Sequence, residues 1–335
     1  MLIVSALSSR PTSGRAARRL AAIALLAMLS VGAAALGTAS AGARPANRNG
    51  EIVFGRYDDP DTVLFTVNPD GSHERQVQLV PPLPLPQECP RWSPNGRRVA
   101  TCGDPTGAAS ALINPDTGRY REVPQRYPGL SLLCEVWSPT GNRLACGGHD
   151  AIYTIRASDG GGLRAISTPG GDVEVGDFSP DGKHLVFVRK DANDDPVGLF
   201  VINVDGTGLK QITPTGTLLT EGVSGNWSPR GDEIVFSLHI TSDVHSTIWV
   251  VHPDGSGLRE IPLQDVACGG PNEDPNGIGC ANPAWSPDGT KLVFVLAIGS
   301  DRNIYTVNAD GTGLKQITHG GTDHFPDWGT HPPVR

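Results

Sequence analysis

Residues 285–318 read WSPDGTKLVFVLAIGSDRNIYTVNADGTGLKQIT. Trp285-Ser286-Pro287-Asp288-Gly289 has the chemistry of a tight turn: proline presets φ at the second turn position, and glycine accepts the left-handed backbone that a Cβ resists. The run Leu292 to Val295 that follows is apolar at every position, which suits a strand buried on both faces. A mixed strand, Ile304 to Val307, leads to a second turn at Asp310-Gly311, and an alternating segment after it predicts a half-buried last strand. With one strand ahead of the first turn, the stretch makes a four-stranded antiparallel unit.

The unit recurs along the chain. Aromatic-Ser-Pro-x-Gly appears at Trp92 to Gly96, Trp137 to Gly141, Phe178 to Gly182, Trp227 to Gly231 and Trp285 to Gly289, with an abbreviated copy at Trp328-Gly329. Successive aromatics lie 45, 41, 49, 58 and 43 residues apart, the period of a blade array. Asp70-Gly71, Asp159-Gly160, Asp205-Gly206 and Asp254-Gly255 repeat the second turn, and Asp205 to Thr213 is identical to Asp310 to Thr318. Glu51 to Phe54 and Leu64 to Val67 read as the second and third strands of a blade that lacks its first, which is supplied by Phe325 to Trp328. Joining the two ends removes the exposed edges. The expected fold is all-β: a six-bladed β-propeller of four-stranded antiparallel blades over residues 51–330, with the ring closed by the C-terminal strand joining the N-terminal blade. Asp265 to Asn282 accounts for the longest interval as a loop.

Glycine at 42 and proline at 29 of 335 residues suit short strands and many turns. Residues 1–41 carry Arg10, Arg15, Arg18 and Arg19, an uncharged run from Leu20 to Leu36, and then Ala39-Ser40-Ala41. That is the pattern of a cleaved secretory signal peptide, with a retained membrane anchor as the alternative. Residues 42–50 follow as a short linker, and 331–335 form a tail. Cleavage removes four arginines and no acid, so a formal net charge of −8 becomes more negative. Nucleic acid is thereby disfavoured as a partner, since its binding needs cationic neutralisation of phosphates.

A periplasmic or secreted location puts the six cysteines in an oxidising compartment. They fall into three local couples, Cys89 with Cys102, Cys134 with Cys146 and Cys268 with Cys280. Each is expected as a disulfide worth about 3 kcal/mol. A zinc site is the rival, without the close CxxC spacing that would support it.

Trp-Ser-Pro-Asp-Gly, an apolar strand, and then Ile304 to Thr318 resemble the TolB-type, WD-like propeller repeat, over about residues 51 to 330. The resemblance implies a propeller and an extracytoplasmic binding role. TolB binds envelope proteins, and similar propellers gate prolyl-oligopeptidase-like proteases or form oligogalacturonate lyases. It extends to the propeller alone, because TolB carries an α/β domain ahead of its ring and only Gly42 to Gly50 lies between the expected cleavage site and the first strand. The G-x-S-x-G elbow of the protease relatives does not occur in the chain.

Connections between second and third strands, and between blades, vary from blade to blade, whereas the Ser-Pro and Asp-Gly turns are uniform; recognition is expected on the diversified face. Four positions before each aromatic stand Glu88, Leu133, Glu174, Val223, Ala281 and His324. Glu88, Glu174 and His324, joined by Asp323, are the candidate binding residues at the mouth of the axial channel, where they could hold a divalent cation or serve acid–base chemistry; solvated channel lining is the alternative. No other cofactor is implied. Asp191, Asn193 and Asp195 imitate a calcium loop, but Pro196 stands where glycine is required. Asp58, Asp59 and Asp61 read as solvated. The expected function is a monomeric, non-enzymatic module that binds a protein or cell-envelope ligand. The alternative is a propeller lyase or hydrolase acting on a small or carbohydrate substrate at the channel mouth.

Overall fold

The computed structural model describes residues 48–334, apart from 59–60, 83–86, 103–109, 125, 128, 131, 192, 194, 216–224, 240–245, 265–267 and 269–278. The expected leader, most of the linker and Val223 lie outside the described residues. Among those described there are strands, turns and no helix, and so no helix long and apolar enough to cross a membrane.

The strands are β1 (Ile52–Asp58), β2 (Asp61–Val67) and β3 (Arg75–Gln76), then β4 (Glu88–Trp92), β5 (Val99–Cys102), β6 (Ala111–Ile113) and β7 (Tyr120–Glu122). Next come β8 (Leu133–Trp137), β9 (Arg143–Gly147), β10 (His149–Arg156), β11 (Arg164–Phe178), β12 (His184–Lys190), β13 (Pro196–Asn203) and β14 (Lys210–Gln211). The chain continues through β15 (Asn226–Trp227), β16 (Ile234–His239), β17 (Ser246–Val251) and β18 (Arg259–Glu260). It ends with β19 (Cys280–Trp285), β20 (Lys291–Ile298), β21 (Asp301–Asn308), β22 (Lys315–Gln316) and β23 (Asp323–Trp328). All strand pairings are antiparallel, in the blade order of a propeller. Strand β23 does join β1, with Ile52 opposite Trp328 and Val53 opposite Asp327.

Hydrogen bonding does not draw the six separate sheets that were expected. Four sheets have four strands, and one has seven, in the order β14-β13-β12-β11-β10-β9-β8. The reason is β11, whose first part pairs with β10 (Ala165 opposite Tyr153) and whose last part pairs with β12 (Val175 opposite Phe187). Gly170 and Gly171, at φ +118° and +126°, carry the chain between the two parts without ending the strand. These are values an L side chain rarely adopts.

Packing follows the repeat. The apolar runs Leu185–Val188, Ile234–Phe236 and Leu292–Val295 are buried at every residue. Removal of a phenylalanine or isoleucine side chain from water in such a run contributes roughly 1.5–3 kcal/mol. Each aromatic of the repeat packs on apolar residues of the preceding unit: Trp227 joins Val186 and Val201, and Trp285 joins Val235 and Val250. The sequence of clusters returns on itself, because Trp328, Ile52 and Phe54 pack with Val293, Val295 and Ile304.

Turn residues also meet across units. A Cβ on Gly141, Gly182 or Gly231 would lie 3.7–3.8 Å from Pro94, Pro139 or Pro180 respectively. The Asp-Gly turns are closed by carboxylates accepting local donors: Asp205 takes the Thr207 amide and hydroxyl, and Asp310 takes those of Thr312. Those hydrogen bonds hold both carboxyls below the ordinary value. In the identical segments, Thr213 and Thr318 accept the Leu199 and Ile304 amides through their hydroxyls.

Cys134 is bonded to Cys146, and Cys268 to Cys280. The expected Cys89–Cys102 bond is not formed; both thiols are free. Cys134 stands directly opposite Cys146, but Cys102 stands opposite Glu88: both first strands bulge in the same place, and Cys102 lies ten residues past its tryptophan where Cys146 lies nine, one position out of register with Cys89. Cys89 is in the left-handed region (φ +49°) within that bulge, and Pro90 beside it has no amide for the ladder. The expected tail is docked: Val334 exchanges hydrogen bonds with the Asn68 side chain, and His331 stacks on Trp92 with ring centroids 4.9 Å apart.

Candidate functional site

The first strands of the units, β4, β8, the last part of β11, β15, β19 and β23, bring one repeat position together: the residue just before each aromatic. Three such residues reach the next unit. Asp177 accepts the Trp227 amide at 3.0 Å, Asn226 accepts the Trp285 amide at 2.8 Å, and Asp327 accepts the Trp92 amide at 2.7 Å. In these three units the side-chain oxygen supplies the strand-end amide of the next unit with a partner; Val136 and Ala284 hold the position without one. Arg91 holds the same position in its unit and lies 3.7 Å from Asp327.

These groups are enclosed, and their acidity reflects it. Burial pushes Asp177 up to about 7, with Asp327 adding to the shift and the Trp227 amide and Arg91 opposing it. Burial also raises Asp327, against Arg91. Arg91 is pressed towards neutrality by burial, yet Asp327, Asp177 and other anions outweigh that and hold its charge. Glu135, on β8 beside them, is pushed up to about 8 by burial first and by Glu174 further, with Arg91 opposing. Its Oε2 is buried and has no hydrogen-bond partner among the described residues.

A cavity of about 190 Å³ opens on the Ser-Pro turn side of this cluster, with Arg91, Asp177, Asn226 and Asp327 in its wall. A larger one of about 470 Å³ is lined by Cys89, Cys102, Glu135, Glu174, His149 and Lys190, among others. The Cys102 thiol is raised well above its ordinary value, by its hydrogen bond with Cys89 first and then by burial. His149 bonds Asp172 at 2.7 Å.

Of the candidate residues read from sequence, Glu174 enters the larger cavity, with Lys190 3.9 Å from its Oε2. Glu88 faces Cys102 across β4 and β5 and is not among that cavity's lining residues. His324 stands opposite Gly55, edge-on to Phe325, and burial lowers its basicity. Asp323 is fully buried in an ion pair with Arg56. The four do not form one cluster. Among the described residues, no group of three or more His, Cys, Asp or Glu side chains is arranged to hold a metal ion. Asp191 instead accepts the Asn193 amide, which closes a local turn; Asp59 lies outside the described residues. Sequence reasoning missed Arg91, Glu135, Asp177, Asn226 and Asp327. The signal for four of them was a polar residue at the same position of a repeat whose neighbours are buried.

The pH dependence of Glu135 has a definite sign. Its folded value, about 8, is above its ordinary value of 4.5, so the folded chain binds the extra proton between the two. Its contribution therefore favours folding below about pH 4.5, declines as pH rises through 8 and is constant above. Glu135→Gln should match the wild type in unfolding free energy at pH 4.5 and exceed it at pH 9 by on the order of 2 kcal/mol, the rest of the shift being discounted for solvent reaching the cavity. A difference that does not change between those two pH values would refute the burial of this carboxyl.

No protein-family profile and no curated protein matches the sequence. Solved structures do match in fold. TolB from Acinetobacter baumannii aligns with a TM-score of 0.64 at 19% identity, covering 85% of this chain and 67% of that one. Putative TolB from Agrobacterium tumefaciens gives 0.61 at 19%, covering 84% and 98%. A chain of a nidogen/laminin complex gives 0.62 at 8%, covering 84% and 99%. The fold is thus a β-propeller, and TolB propellers, which the repeat resembles, are among the structures it matches.

Proposed function

We propose that the six aromatic units are six blades of one ring, with β11 serving as the last strand of one blade and the first of the next. On this reading the chain is an exported, monomeric and non-enzymatic module that binds a protein or cell-envelope ligand at the axial mouth, on the face with the diversified connections. The observation that carries it is the 470 Å³ cavity. It holds a buried carboxyl oxygen of Glu135 that has no hydrogen-bond partner among the described residues, and Glu174, His149 and Lys190 share the lining. Propeller folds in TolB and in a nidogen/laminin complex lend support. The two disulfides fit an oxidising, extracytoplasmic compartment, in keeping with the signal-like leader.

Immobilised protein should capture a saturable ligand from envelope extracts, and Glu174→Lys with His149→Ala should abolish that capture while leaving the melting temperature within a few degrees. Saturable capture that the double variant retains would place the binding elsewhere. A second reading, hydrolysis or elimination on a carbohydrate at this mouth, is favoured by one observation: Glu135, pushed up to about 8 by burial, lines the same cavity as Glu174, and a carboxyl that keeps its proton near neutrality can serve as a general acid. Turnover of an oligosaccharide, lost in Glu135→Gln, would select it.

A further inference from the structure

We propose that a second site, a cleft of about 880 Å³ between the β4–β7 sheet and strands β9–β11, binds an acidic oligosaccharide through Arg97, Arg98, Arg121, Arg143, Arg156 and Arg164. Six guanidinium groups line one cleft in a chain whose formal net charge is −8. Among the described residues, one carboxylate answers them: Asp159, bonded to Arg156 at 2.9 and 3.0 Å.

The arginines divide into a fixed floor and a free rim. Arg143 is held by the Thr154 hydroxyl and by the carbonyls of Thr154 and Gly162, and Arg121 by the Ala157 carbonyl. Carbonyls fix a guanidinium without neutralising it. Arg97, Arg98 and Arg164 make no side-chain hydrogen bond or ion pair among the described residues, so their donor forks face the cleft unused. Burial and Arg98 lower the basicity of Arg121, while burial, Arg164 and Arg156 lower that of Arg143. Mutual repulsion of this kind is relieved by an anion, and a planar guanidinium grips a carboxylate or sulfate with two parallel hydrogen bonds.

The rest of the lining indicates what carries the anionic groups. Asn95, Asn114, Asn142 and Thr140 offer donors and acceptors suited to sugar hydroxyls, and Trp137 offers an aromatic edge. The volume lies within the range of small-ligand sites. The arginines sit on the Ser-Pro and Asp-Gly turn face, opposite the face read as the recognition surface. This site is therefore independent of the axial mouth.

The test is calorimetric titration of the purified full chain at low ionic strength, about 50 mM salt, with an alginate hexasaccharide, neutral maltohexaose and inorganic tripolyphosphate. The alginate oligomer should bind and weaken as salt is raised, maltohexaose should not bind, and Arg97→Gln/Arg98→Gln/Arg164→Gln should reduce alginate affinity about tenfold or more. That variant removes no intramolecular bond, so its melting temperature should stay at the wild-type value. Glu174→Gln should leave alginate binding unchanged, which separates this site from the axial one. The proposal is overturned if alginate does not bind, if the triple variant binds it within about twofold of wild type, or if tripolyphosphate binds and the saccharide does not.

Discussion

A chain that stops at Thr322 should not fold: no cooperative thermal transition, and recovery mainly as aggregate. Removal of residues 323–335 strips β1 of its partner β23, so the edge from Ile52 to Arg56 loses its ladder. Trp328 leaves the cluster it forms with Ile52, Phe54, Val293 and Ile304. The Trp92 amide loses Asp327, and the Gly50 carbonyl loses the Trp328 indole. Large apolar surface and an unpaired strand edge then face solvent together, the combination that drives association between chains. A permuted chain in which residues 321–335 precede residue 48 through a glycine linker should fold with a melting temperature within a few degrees of wild type. Circular dichroism melts of the two chains decide the matter. A cooperative transition in the truncated chain, or none in the permuted one, would show that closure by this strand is not what holds the first blade.

That closure was legible in sequence because it depends on local patterns. Turn chemistry at the Ser-Pro and Asp-Gly sites, apolar runs after them and a strand missing at one end but present at the other are readable without coordinates. The continuity of β11 was not, since Pro169-Gly170-Gly171 reads as a loop and only backbone at φ +118° and +126° lets it pass straight through. The free thiols of Cys89 and Cys102 escaped for a related reason. Cys89 and Cys134 both lie three residues before their tryptophan in strands that bulge alike, but Cys102 follows its tryptophan by ten residues where Cys146 follows by nine, and a one-residue shift changes which side chains meet. A count of four positions back from each aromatic gives Glu88, Glu174 and His324, with Asp323 beside the last. That count brought Glu174 to a cavity but overlooked the position next to the aromatic, where Asp177, Asn226 and Asp327 tie unit to unit. The arginine cleft draws on six residues from five segments of two units, and no linear motif marks it.

Asp323 shows what a residue read as channel lining does when it is turned into the fold. Its carboxylate is fully buried. It takes Arg56 Nε at 2.5 Å and Nη2 at 3.2 Å, together with the Thr318 hydroxyl. Arg56 also bonds Glu74 at 2.6 Å and lies 4.3 Å from the Phe65 ring centre, against Gly320, where a Cβ would come within 2.3–2.4 Å of the guanidinium group. Burial pushes the pKa of Asp323 up, towards the neutral form, and Arg56 with Thr318 opposes that. Such a pair adds little over an apolar pair of the same shape; removing Asp323 leaves the partly buried Arg56 with Glu74 as its remaining ion-pair partner, so the loss falls near the lower end of the roughly 3–5 kcal/mol that breaking a buried pair costs. Asp323→Ala should therefore lower the melting temperature by roughly 10 °C. Asp323→Asn, which keeps an oxygen for Thr318, should fall between it and wild type. Arg56→Met/Asp323→Leu should recover most of the loss, because neither charge is then stranded. A double variant as unstable as Asp323→Ala would mean that the hydrogen bond with Thr318, rather than the buried charge on Arg56, is what Asp323 supplies.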